Sequence, residues 1–214
     1  FVITKLDSDG AVVWQKEYHD NYTYSDGACL QVDGNNDIVL VGTRTDGNQG
    51  NRVGMFALKL SGFNGAVGWS KTLTPWYNNM EQPCMTIDGD NNVIVAGNTD
   101  ISNYKRLFFA KLDSLHGNTI WSKVILNPEG GWSTYDLKIG SIDSDESGNL
   151  YFVGSYEVPN FVTDIQGNTD NGRAGMVLKL DSTGVAQWSR LVGPGDCWDM
   201  GAQVRYKDGK VFAV

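Results

Sequence analysis

The chain has 214 residues, 41% hydrophobic and 20% charged, with 26 glycines and 7 tryptophans against 5 prolines. That composition fills a core and excludes a disordered tail, and its many turn formers and aromatic residues point to an all-β chain. The formal net charge is −8 and the basic residues are scattered without a cluster, so no nucleic acid is expected as partner.

Read in order, the chain repeats itself. FVITKLDSDGAVVWQK from Phe1 returns as MFALKLSGFNGAVGWSK from Met55, FFAKLDSLHGNTIWSK from Phe108 and MVLKLDSTGVAQWSR from Met176, so that Trp14, Trp69, Trp121 and Trp188 lie 55, 52 and 67 residues apart. A second recurring pair of runs fills the gaps: ACLQVDGNNDIVLVGT, CMTIDGDNNVIVAGNT, KIGSIDSDESGNLYFVGS and finally AQVRYKDGKVFAV. Each unit predicts four short strands, A to D, over Cys29–Asp33, Ile38–Thr43, Phe56–Leu60 and Ala66–Lys71 in the first complete copy, with turns at 33–36 and, in the last copy, 181–184. Gly, Asn and Asp tolerate the backbone conformations that such turns need, so A pairs with B and C with D. Four antiparallel strands in about 50–60 residues is the period of a β-propeller blade.

The expected division is strands C and D of one blade over 1–20, blades over 21–73, 74–126 and 127–192, and strands A and B of a last blade over 193–214. The chain then reads as an excerpt of a longer one, the alternative being a four-bladed ring closed by its first and last strand pairs. The connection from Tyr156 to Arg173, rich in Asn, Asp and Gly, is expected to be the longest loop. No apolar run approaches the roughly 18 residues of a membrane-spanning helix. Three cysteines cannot all pair and no C-x-x-C occurs, which indicates neither a disulfide framework nor a zinc site.

Leu112–Trp121 and Leu180–Trp188 resemble the turn between the third and fourth strands of quinoprotein-like propellers, D-x-x-x-G-x-x-x-W; the second copy has Ser61 where Asp is expected. Over its whole length the chain is more similar still to bacterial and phage β-propeller repeat proteins. That resemblance implies a non-catalytic module of a larger assembly, foremost a phage tail or other virion or surface apparatus, with other structural subunits as partners and a virion or extracellular location. The alternative it leaves is a secreted bacterial surface propeller that binds glycans. A quinoprotein-like enzyme would need cofactor-ring contacts and calcium ligands that are not found here, so no catalytic residue and no cofactor is assigned.

Three constellations invite chemistry. Asp33-x-Asn35-x-Asp37, Asp88-x-Asp90-x-Asn92 and Asp143-x-Asp145-x-Ser147 copy the first positions of a calcium loop, but Arg44, Thr99 and Gly154 stand where its bidentate glutamate belongs. Turn chemistry is the better reading, and no metal is assigned. Asp26, Glu81 and Asp136 each lie seven residues before the aspartate that is expected to end strand A, with Asp199 near the matching place. They form either a carboxylate ring at the channel mouth, fit for a cation or sugar hydroxyls, or a set of solvated strand starts. Finally, Tyr24, Trp76, Trp132 and Trp198 fall in the D-to-A connections, where rings beside carboxylates make a sugar or protein contact surface, or simply pack on the blades. Cys29 and Cys84 read as buried small hydrophobes, and His19 and His116 stand alone.

Overall fold

The computed structural model describes residues 1–19, 24–45, 52–73, 81–101, 104–125, 136–163, 169–192 and 203–214. Three four-stranded antiparallel sheets follow one another along the chain. The first holds β3–β6 (Tyr24–Val32, Ile38–Thr45, Arg52–Leu60, Val67–Leu73), and the second β7–β10 (Glu81–Ile87, Val93–Ile101, Tyr104–Leu112, Thr119–Ile125). The third holds β11–β14 (Asp136–Ser144, Leu150–Thr163, Thr169–Leu180, Ala186–Val192). Two-stranded sheets flank them, β1–β2 (Val2–Leu6, Val12–Glu17) and β15–β16 (Val204–Lys207, Lys210–Ala213). This is the expected all-β, propeller-like architecture. The first and last strand pairs remain separate sheets.

Each second strand is an unbroken apolar run because both its faces are covered. Ile38, Val39, Leu40 and Val41 are all buried, and alternation sends them to opposite sides. Val39, Val41 and Ala57 pack against Met85, Val95 and Phe108 of the next sheet, whereas Ile38, Leu40, Phe56 and Leu58 pack against Ile3 and Trp14 of the preceding one. The second and third sheets repeat the arrangement through Ile94, Phe109, Ile142 and Phe152, with Phe109 and Phe152 meeting edge to face at 5.8 Å. Burying one such side chain stabilises by about 1.5–3 kcal/mol.

The turns follow their residues. In the A–B turns of the three four-stranded sheets one carboxylate oxygen accepts two backbone N–H groups: Asp33 from Asn35 and Asp37, Asp88 from Asp90 and Asn92, Asp145 from Ser147 and Asn149. The left-handed position falls on Asn36, Asn91 and Gly148. Where Ser61 replaces the aspartate of the C–D turn, its hydroxyl accepts the Phe63 N–H and Asn64 takes that of Ala66. A bulge recurs in β3, β7 and β11 opposite Gly42, Gly97 and Gly154.

Two expectations change. The second strand of the first complete unit, expected over Ile38–Thr43, runs on to Thr45, and its counterparts reach Ile101 and Thr163. The connection expected from Tyr156 to Arg173 is mostly a β-ribbon, with Phe161 opposite Asn171 and Thr163 opposite Thr169. The β-branched and aromatic residues of Phe161-Val162-Thr163 favour extended backbone, and a register shift between Glu157 and Phe161 accommodates Pro159, which has no N–H to give.

Candidate functional site

The inner strands β3, β7 and β11 begin at the edge where the sequence placed its carboxylates. By backbone register Asp26 faces Thr43 and Glu81 faces Asn98, the same position in two successive sheets. In the third sheet that position belongs to Lys138, which faces Ser155, while Asp136 lies two residues further out opposite Glu157. The seven-residue count misplaced Asp136 because it ended at Asp143, whereas the turn aspartate is Asp145. Equivalent backbone positions in the three sheets are therefore held by Asp26, Glu81 and Lys138. Tyr24 pairs with Thr45 at the same end of β3. Trp76, Trp132, Trp198 and Asp199 lie outside the described residues.

Sequence reading missed the polar layer beneath this rim. Thr43, Asn98 and Ser155 are buried, as are Arg44 and Thr99 beside them. Arg44 bonds the Thr72 hydroxyl and lies over the Phe56 ring at 4.9 Å. The available signal was a polar residue after each recurring glycine: Gly42-Thr43, Gly97-Asn98 and Gly154-Ser155.

At the opposite ends of the strands, the would-be calcium positions are occupied from within. Lys59 Nζ stands 2.7 Å from Asp33 Oδ2, and Lys111 Nζ 2.7 Å from Asp88 Oδ2. In the third turn the frame moves by two residues: Asp145 takes the Tyr151 hydroxyl at 3.0 Å, and Asp143 accepts the Tyr206 N–H at 2.7 Å, anchoring β15. Burial pushes the Asp33 carboxyl up, but Lys59 and the Asp37 and Asn35 N–H groups outweigh it and hold the group below its ordinary value. Burial likewise opposes ionisation of Asp145, and Asn149, Tyr151 and Ser147 override it. The Tyr151 phenol is raised by burial despite Lys179.

The recurring Trp and Lys sit opposite each other on strands C and D: Lys5 with Trp14, Lys59 with Trp69, Lys111 with Trp121, Lys179 with Trp188. Three of these indoles then reach the next sheet, where Trp14 donates to Gly62 O, Trp69 to Ser114 O and Trp121 to Ser182 O. These Trp rings thus pack between sheets and also bridge them by a hydrogen bond. Lys59 is itself buried in this arrangement. Burial pushes the Cys29 thiol up to about 11, and that of Cys84 higher still, with Cys29 nearby adding to it. Both thiols stay protonated at neutral pH, which suits packing and not nucleophilic attack.

No protein-family model matches the chain, and no curated protein matches it. Among solved structures it is similar to a mannose phosphorylase from Leishmania mexicana solved with phosphate ion, at 11% identity and TM-score 0.46, over 81% of this chain and 57% of that one. A GDP-Man-dependent mannosyltransferase from Leishmania mexicana aligns at 16% identity and TM-score 0.43, over 77% and 50%. A quinohemoprotein alcohol dehydrogenase from Comamonas testosteroni aligns at 17% identity and TM-score 0.49, over 99% and 36%. The chain thus spans 36–57% of the length of these proteins. At such identities likeness concerns fold, and no activity passes with it.

Proposed function

We propose that this chain is a non-catalytic binding module of a virion or other surface assembly, whose strand-end rim contacts neighbouring structural subunits, with glycans as a second class of contact. The observation that carries the reading is a contrast between the two ends of the strands. At the turn end the charged residues serve the architecture: Asp33 with Lys59, Asp88 with Lys111, and Asp145 with Tyr151 and Asn149. At the rim, equivalent register positions of the three four-stranded sheets carry a different residue in each, Asp26, Glu81 and Lys138. A repeated scaffold with a varied edge suits recognition, because the sheets fix where the edge residues stand without constraining what they are. Fractionating material from the natural source on a density gradient tests this. Co-banding with virions or cell envelopes is expected, and recovery solely as free low-mass protein would overturn it.

A further inference from the structure

Between the A–B turns of the second and third sheets lies a cleft of about 340 Å³, whose lining includes Asp88, Gly89, Asp90, Lys111, Glu146 and Gly148. The groove between the first and second sheets is built from the same turn positions and is closed by the protein itself. There the Asn91 carboxamide oxygen accepts the Gly34 N–H at 2.8 Å, and a Cβ on Gly34 would touch that oxygen. In the third sheet the counterpart of Asn91 is Gly148, which has the same left-handed backbone, φ 75° against 62°, and no side chain. The counterpart of Gly34 is Gly89, above which the nearest atom to a Cβ is Glu146 O at 4.0 Å. One missing carboxamide therefore opens the cleft.

A second donor is freed in the same place. Lys5 Nζ reaches Gly62 O at 2.7 Å and Lys59 Nζ reaches Ser114 O at 3.0 Å, each a carbonyl in the C–D turn of the next sheet. Lys111 keeps Asp88, and among the described residues no such carbonyl receives it, although Ser182 lines the cleft beside it. The cleft thus offers a backbone N–H and an ammonium to a neutral carbonyl oxygen, and carboxylates and hydroxyls to donors around it. Acidic side chains outnumber the single lysine, which disfavours an anion. The volume lies at the lower end of small-molecule sites, roughly 300–1,000 Å³, and exceeds what one carboxamide fills.

We infer that this cleft binds an acetamido sugar. The amide carbonyl takes the place that Asn91 Oδ1 holds in the sister groove, on the Gly89 N–H with Lys111 alongside, and ring hydroxyls donate to Asp90. The site lies at the turn end, away from the rim, and stands independently of the assembly role proposed above.

Protein-observed NMR titration of the whole chain with N-acetylglucosamine, glucose and N-acetylasparagine amide provides the test. N-acetylglucosamine is expected to bind about tenfold more tightly than glucose, the factor that one net hydrogen bond supplies, with shifts centred on Gly89, Ser147 and Gly148. Gly148→Asn should restore the intramolecular plug and weaken sugar binding by about tenfold or more. Asn36 and Asn91 already occupy this backbone conformation and a Cβ on Gly148 meets only Ser182 Cβ at 3.4 Å, so the variant should fold and melt within about 4 °C of the wild type. Equal binding of the two sugars, unchanged affinity in Gly148→Asn, or no binding at all would overturn the inference. Tighter binding of the asparagine amide would replace the sugar by a peptide ligand.

Discussion

Asp33 and Lys59 show how much rests on a single residue pair. Their side chains are 1% and 10% exposed and 2.7 Å apart, so removing one partner strands the other charge away from water. Lys59→Met should cost about 3–5 kcal/mol in urea denaturation, and adding Asp33→Asn should recover part of that because no unpaired charge remains. An unaltered midpoint in the single variant would show that water reaches the aspartate. Asp33 and Asp145 are both held below the ordinary carboxylate value, so the folded chain binds their protons less readily than the unfolded one. Their contribution is complete above the unfolded value near about pH 4 and disappears as pH falls through the folded value. Melting temperature should therefore hold from neutral pH to about 4.5 and decline below, and Asp33→Asn should flatten that decline; a variant curve parallel to the wild type would contradict it.

Among elements, the C–D hairpin is the unit that locks one sheet to the next. Gly117 has φ +69°, and a Cβ there would stand 2.6 Å from the Trp69 ring. Gly10 has φ +83° with nothing within 4 Å. Gly10→Ala should cost only the backbone term of about 1–2 kcal/mol, whereas Gly117→Ala should cost clearly more because the indole must move. Equal losses would mean that the Trp69 contact is loose. The hairpins themselves were legible in the sequence, since Asp at the first turn position, Gly or Asn at the left-handed one and period-two apolar residues are local signals. What was not legible is the frame of a turn when aspartates crowd it: Asp143 and Asp145 both fit the pattern, and only the bonds to Ser147 and Asn149 identify Asp145 as the one that opens the turn. The same ambiguity displaced Asp136 from the rim.

Across the whole molecule, the middle sheet is covered on both faces, whereas β1–β2 and β15–β16 are each packed by one neighbour. Leu30 on β3 is 49% exposed, although its counterparts Met85 and Ile142 are at 4% and 2%. Stacked sheets gain stability from each interface they share, as repeat proteins do. Native-state hydrogen exchange should therefore find the slowest amides in β8 and β9 and the fastest in the two-stranded sheets, with a spread of roughly 2 kcal/mol or more. Uniform protection would indicate that all the sheets unfold as one cooperative unit. The repeat period, the strand order within each sheet and the Trp at each interface were determined by sequence alone, because near neighbours in the chain set them. The tertiary structure decided the rest: the burial of Lys59, the register that sets Asp26, Glu81 and Lys138 at equivalent positions, and the plug of Asn91 that Gly148 lacks. These depend on residues brought together from distant parts of the chain, as Gly34 and Asn91 are across 57 positions, and such pairs exist only once the sheets have stacked.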